Sequence, residues 1–387
     1  MAGSVWGEGY EPYSRSSTYG YWGYSSKERL VDERAKRKLK KEFRNRTRTI
    51  EAALKDLSAS KKTSIFRSPE VGRSVSWRIP RVLHQTWKVN GIPAKFEEHI
   101  KSWRRLHPDW RFEFWDDYRC QVFMDKHFPQ YAKQYAEKSG IMRADIIRIA
   151  LLYVEGGVYA DIDVEATRNF DDLLDAAEAS RHGILLGEEN IVHAVLLERK
   201  NGWLVSNALL AGARKHPFWS QVLKSIFSQT ACSSDPVECT GPRLVDRLSW
   251  TWAKNETDCG EFGCMARLPF TYFSPHIAKW NAEAMVSKCK DASCGLNCWI
   301  APRPDDKKKI KACRQLEQAL VYDAALRRPC TFAVHHWQCS WCRKDESMDF
   351  SIPLQEIIYK LGNESLLRAA RHSGRPSRSK KGRRRKL

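Results

Sequence analysis

Asp161 and Asp163 stand one residue apart in Val158-Tyr-Ala-Asp-Ile-Asp-Val-Glu, a stretch in which apolar and polar residues alternate. On a strand of period two, Val158, Ala160, Ile162 and Val164 point one way, and Tyr159, Asp161, Asp163 and Glu165 the other. At about 3.3 Å per residue the two aspartate Cα atoms would lie about 6.6 Å apart on one side. Carboxylates that close repel one another unless a cation stands between them, and all-oxygen ligands suit Mg2+ or Mn2+. Such a centre stabilises the negative charge that develops on a departing nucleoside diphosphate, the chemistry of transfer from a nucleotide-activated donor. An imidazole ligand favours Mn2+. Phe332-Ala-Val-His-His-Trp-Gln-Cys-Ser-Trp offers His335 and His336, and on an extended chain only one of these neighbours can face the carboxylates.

A second charged pair sits just upstream. Gly140–Val154 reads as a helix that is apolar nearly all round, with Ile141, Ile149 and Leu152 on one side and Ile146, Ile147, Ala150 and Leu151 on the other. Asp145 and Arg148 therefore share a face with apolar residues, where charges must be paired or must hold a polar ligand. Gly156-Gly157 ends the helix where positive φ is easily reached and brings the aspartates beside this pair.

The elements that must position these residues alternate. A strand is expected at Arg81–Trp87, an amphipathic helix over Ala94–Leu106, a strand at Trp110–Trp115, and helical segments from Tyr118 to Tyr135 broken at Pro129. That order predicts an α/β fold with a mainly parallel sheet, whose ligands sit off the carboxyl ends of the strands. No internal repeat is visible.

The 387 residues allow two average domains or one large one with tails, and 42% apolar content is ample for a core. The net charge of +20 is unevenly spread: residues 27–48 contribute +7 and residues 375–387 contribute +8. That distribution argues against a specific nucleic-acid partner; the tails read first as solvated, disordered charge runs, with attraction to anionic lipid surfaces or RNA as the alternative and a nuclear address as a third. A non-catalytic protein that uses those tails on lipid or RNA is the alternative to an enzyme. Residues 1–26 are expected to be disordered, 26–57 an exposed basic helix and 58–64 a linker, with the folded domain beginning near Trp77. Activity is accordingly expected to survive deletion of residues 1–74. No apolar run reaches the roughly 18 residues that cross a bilayer, which leaves a cytoplasmic location open. Eleven of the twelve cysteines lie between Cys232 and Cys342, and Asn45, Asn255 and Asn363 begin glycosylation sequons. Disulfides in a secretory compartment are the expected reading; zinc at Cys339-x-x-Cys342 and Cys294-x-x-x-Cys298 is the other.

Six segments taken together resemble family 32 of the glycosyltransferases, the proteins with a sugar-binding region containing a DXD motif. They are Ile79-Pro-Arg-Val-Leu-His-Gln-Thr-Trp-Lys, Arg143-Ala-Asp-Ile-Ile-Arg, Gly156-Gly-Val-Tyr-Ala-Asp-Ile-Asp, Asn207-Ala, Thr240-Gly-Pro and His335-His-Trp-Gln-Cys-Ser-Trp. The resemblance spans about residues 77–343 and implies a GT-A-type fold and a hexosyltransferase that retains anomeric configuration. It implies that Asp145 and Arg148 grip the donor sugar and phosphate, and that Trp87 stacks on the nucleobase. Asp161 would touch ribose or metal-bound water, Asp163 would bind Mn2+ or Mg2+ directly, and His336 would complete the metal site. Gln85, Tyr159, Asn207 and Trp341 would line the donor. The donor would be a GDP- or UDP-hexose, mannose or similar, the acceptor a glycan or glycolipid, and the compartment the Golgi lumen. The regions expected are 1–74, a disordered or basic helical stretch; 75–350, the transferase domain; and 351–387, a helix and basic tail.

Overall fold

The structure is a computed structural model that describes residues 26–61, 76–198, 203–228, 235–256, 259–289, 307–321, 330–338 and 346–361. Its strands are β1 (Val82–Thr86), β2 (Gly91–Pro93), β3 (Arg111–Trp115), β4 (Gly157–Ala160), β5 (Val164–Ala166), β6 (His182–Glu188), β7 (Val205–Gly212), β8 (Cys264–Leu268), β9 (Ala333–His335) and β10 (Ser351–Pro353). The expected α/β class holds. Six strands form one sheet in the order β3-β1-β4-β7-β6-β8, in which β1 runs parallel to β3 and β4, and β6 parallel to β8. Only β7 runs against its two neighbours, β4 and β6.

Both faces of the sheet are covered, which explains why β4 and β6 are almost wholly apolar rather than alternating. One core packs the Gly140–Val154 and Pro217–Ser228 helices against Ile184, Leu186 and Leu210. The other packs Trp103, Phe170 and Leu173 against Leu83, Val158 and Leu185. Between helix and β4, Gly156 and Gly157 adopt φ +66° and +104°, and a Cβ on Gly157 would lie 2.5 Å from the Val82 carbonyl oxygen. Glycine lets the helix end directly against β1.

Two small antiparallel ribbons join distant parts of the chain. Residues 351–353 of β10 pair with β2, and β9 pairs with β5, with His335 opposite Val164. The basic segment differs from the exposed helix expected. A 36-residue helix, Ser26–Lys61, buries Phe43, Arg46, Thr47 and Ile50 on the domain. Arg46 Nη1 donates to the Met265 carbonyl (2.9 Å) and Thr47 Oγ1 to that of Arg267 (3.1 Å), both on edge strand β8. A basic composition hid this face because its contacts are only four residues wide per two turns. Beyond β10, residues 354–361 are helical, with Ile357 buried. Residues 58–61 of the expected linker continue the Ser26–Lys61 helix; residues 1–25, 62–64 and the C-terminal basic tail lie outside the described residues.

Five of the described cysteines are oxidised, while Cys120 and Cys330 are free. Cys259 is bonded to Cys264 and Cys289 to Cys313, while Cys239 is also in a disulfide. Both cysteine pairs considered for zinc lie outside the described residues.

Candidate active site

The aspartates do not share the face of one continuous strand. The chain leaves β4 at Ala160, turns with the Val164 N–H donating to the Asp161 carbonyl (3.0 Å), and enters β5 at Val164. The turn bends Asp161 and Asp163 toward each other, and β9 brings in an imidazole. Ligand atoms of Asp161, Asp163 and His335 all lie within 4.8 Å of one another. Two carboxylate oxygens and one ring nitrogen form a donor set that fits Mn2+, and Mg2+ less well.

Asp163 is held from two sides: its Oδ2 accepts from the Gln338 N–H (2.8 Å) and faces His335 Nε2 at 3.3 Å. Burial pushes this carboxyl up, but the charge and hydrogen bond of His335 together with the Gln338 N–H bring it below its ordinary range. Asp161 is driven the other way, by burial first and by the adjoining Asp163 charge next, against the attraction of Arg148. Two like charges so disposed titrate apart, and a divalent cation relieves both.

The helix pair supports this centre from below. Arg148 Nη2 lies 3.3 Å from Asp145 Oδ1 and 3.5 Å from Asp161 Oδ1, its Nη1 donates to the Asn207 carbonyl (2.6 Å), and its guanidinium covers the Tyr159 ring at 4.9 Å. Asp145 accepts from Asn207 Nδ2 (2.8 Å) and Thr240 Oγ1 (2.9 Å), and burial still pushes it up to about 6. The Tyr159 hydroxyl donates to Asp161 Oδ1 (2.7 Å) and meets Thr86 Oγ1 at 2.9 Å. Tyr159 has no exposed surface, and Asp145 and Arg148 are each 4% exposed. These three are enclosed by protein; Arg148 and Tyr159 contact Asp161 directly, and Asp145 contacts Arg148.

The expected His336 does not join the aspartates. Its Nε2 lies 2.9 Å from Glu165 Oε2 and its ring stacks on His99 at 4.3 Å, so the ribbon register delivers His335 instead. Glu165, expected on the carboxylate face, is drawn off to the same imidazole. Gln85 and Trp87 stand at the carboxyl end of β1, beside β4. Gln85 is buried, its Nε2 without a hydrogen-bond partner among the described residues; Trp87 is half-buried, its ring edge-on to Phe96 at 5.8 Å. Trp341 lies outside the described residues. The sequence assigns no role to Thr240, Thr86 or Gln338, and offers His335 as one of two candidate imidazoles, of which the resemblance favours the other. Thr240 was within reach, since the buried Asp145 needs a partner and Thr240-Gly-Pro was already a recognised segment; Gln338 acts through its backbone and left no side-chain signal.

The sheet and this cluster form an α/β domain with an acidic centre at the end of β4. Residues 93–180 match the family described as glycosyltransferase sugar-binding region containing DXD motif. It is 32% identical over 190 residues to inositol phosphoceramide mannosyltransferase 3 of Schizosaccharomyces pombe, covering 48% of this chain and 49% of that protein. It is 28% identical over 123 residues to the initiation-specific alpha-1,6-mannosyltransferase of Candida albicans, covering 28% of this chain and 32% of that one. The chain thus spans about half or less of the length of these curated relatives. Among solved structures, mouse xyloside xylosyltransferase 1 aligns over 66% of this chain and 96% of its own, at 12% identity and a TM-score of 0.37.

Proposed function

We propose that this chain is a metal-dependent hexosyltransferase that moves mannose, or a closely similar hexose, from a GDP- or UDP-hexose to a glycan or glycolipid acceptor with retention of configuration. The observation that carries this reading is the convergence of Asp161, Asp163 and His335 beside the buried Asp145–Arg148 pair. The mannosyltransferase names of the relatives support the choice of sugar, and the inositol phosphoceramide mannosyltransferase supports a glycolipid acceptor. Two disulfides support a secretory compartment such as the Golgi lumen.

In this reading Asp163 and His335 bind Mn2+ directly, and Asp161 completes the set. When bound, the ion supplies charge neutralisation for the departing diphosphate. The protein's own part is positional. Arg148 and the Tyr159 hydroxyl hold Asp161, Asp145 with Thr240 and Asn207 holds Arg148, and the Gln338 N–H holds Asp163. Gln85 Nε2 donates to the donor, and Trp87, at the end of β1, receives its base. The acceptor hydroxyl attacks the anomeric carbon from the leaving-group side and gives its proton to the departing phosphate oxygen. That route needs no protein base.

A donor-hydrolysis screen of GDP- and UDP-hexoses with Mn2+ tests the reading, with Asp163→Asn as the blank. Turnover of one donor, lost in a variant whose melting temperature is unchanged, is the expected result. Equal turnover in Asp163→Asn, or none of any nucleotide hexose, overturns it.

A further inference from the structure

The Ser26–Lys61 helix divides sharply around its axis. At about 100° per residue, the buried Phe43, Arg46, Thr47 and Ile50 occupy an arc of about 100°. Arg34, Arg37, Lys38, Lys41, Arg44 and Arg48 are all exposed and fall within an arc of about 120° centred on the opposite side. Over fourteen residues at 1.5 Å rise they form a line about 21 Å long. The one acid exposed along this stretch, Glu42, lies off the line and is bonded to Arg46 at 3.2 Å. Hydrogen bonds from Arg46 and Thr47 to the β8 backbone fix the rotation of the helix, so the cations face outward together rather than averaging over all directions.

We propose that this stripe docks the domain on an anionic lipid surface. The charge complementarity is one-sided: six cations and no acid on the line. A straight, rigid row meets a plane of headgroups along its whole length, and each Lys or Arg near such a plane adds to the attraction. Asn45, the one other exposed residue within the arc between Arg34 and Arg48, has neither an aromatic ring on which a base could stack nor an apolar side chain that would enter the bilayer. Binding is therefore peripheral, electrostatic and weakened by salt. The basic 375–387 segment is a separate source of positive charge, and the test separates the two.

Full-length protein is sedimented with vesicles of phosphatidylcholine alone or of phosphatidylcholine with phosphatidylserine, at about 0.1 M salt. Arg37→Glu, Lys41→Glu and Arg48→Glu together should weaken binding to the anionic vesicles by about 100-fold or more, with the melting temperature unchanged because all three side chains are exposed. The matching Gln triple should fall between it and the parent, and decides the question if the Glu triple does not fold. Equal binding to phosphatidylcholine alone overturns the proposal. So does binding that survives both triples and disappears only when residues 380–386 are neutralised. Tighter retention of single-stranded RNA than of anionic vesicles, lost in the same triples, replaces the lipid with a nucleic acid and overturns it equally.

Discussion

His335 and His336 are neighbours whose rings serve different carboxylates, Asp163 and Glu165, because β9 runs antiparallel to β5 and successive residues alternate sides. Removing His335 should weaken Mn2+ binding, read by calorimetry or by electron paramagnetic resonance, by about 10- to 100-fold. His336→Ala should change it less than about threefold, since His336 ligates nothing in the cluster; the reverse ranking would restore His336 as the ligand. Thr240 is a more quietly placed residue. Thr240→Val leaves Asp145 Oδ2 buried without its donor and should cost about 1–3 kcal/mol of stability, measured by denaturant unfolding. A third residue reports through pH. Burial raises Glu188 to about 7 despite Arg267 nearby, and its Oε1 has no hydrogen-bond partner among the described residues. A carboxyl whose folded pKa exceeds its unfolded value favours folding while protonated, so that contribution is complete below about pH 4.5 and is lost as pH rises through about 7. Glu188→Gln should therefore flatten the decline of stability over that window and gain about 1–3 kcal/mol over the parent at pH 8. Parallel pH–stability curves for the two proteins would contradict this.

The elements nearest the site were the most legible. The apolar helix Gly140–Val154 and its glycine turn lie where the sequence places them, and the break at Pro129 separates Asp117–His127 from Pro129–Ala136. Local signals suffice there: an all-round apolar wheel, a proline at a helix start, two residues that tolerate positive φ. Alternation of apolar and polar residues through Asp161 and Asp163 predicts one continuous strand, yet the chain breaks at the aspartates. Alternation specifies an extended chain, and a turn of three residues between two short strands preserves the pattern while changing the direction of the side chains. Pairing of β9 with β5 joins residues about 170 positions apart, and the reversal of β7 depends on its neighbours; neither leaves a local trace. Gly157 tests the turn. Gly157→Ala must adopt φ +104° with Cβ 2.5 Å from the Val82 carbonyl, and should cost at least about 3 kcal/mol in denaturant unfolding. Gly140→Ala, at a helix start with no atom within 4 Å of the new Cβ, should be neutral or stabilising by up to about 1 kcal/mol. Equal effects at the two glycines would mean that the turn is not under the constraint described.

At the scale of the molecule, the helix Ser26–Lys61 is part of the domain rather than an appendage to it. It covers β8, the strand at one end of the six-stranded sheet, where backbone groups would otherwise face solvent as a template for another chain. Charge made this segment look dispensable, since a run of Lys and Arg cannot form a core. Leu39, Phe43, Ile50, Leu54 and Leu57 mark the docking face, and Met265 and Arg267, whose carbonyls accept from Arg46 and Thr47, are more than two hundred residues away from it. Deleting residues 1–61 should therefore give a chain that aggregates or melts well below the parent, whereas deleting residues 1–25 alone should leave the melting temperature where it is. Loss of two large buried side chains costs about 3–5 kcal/mol each in other cores, a substantial share of a domain's net stability. A soluble truncation starting at residue 62 with the parent's melting temperature would show that the sheet tolerates an open β8 edge and that the helix contributes only its outer charges.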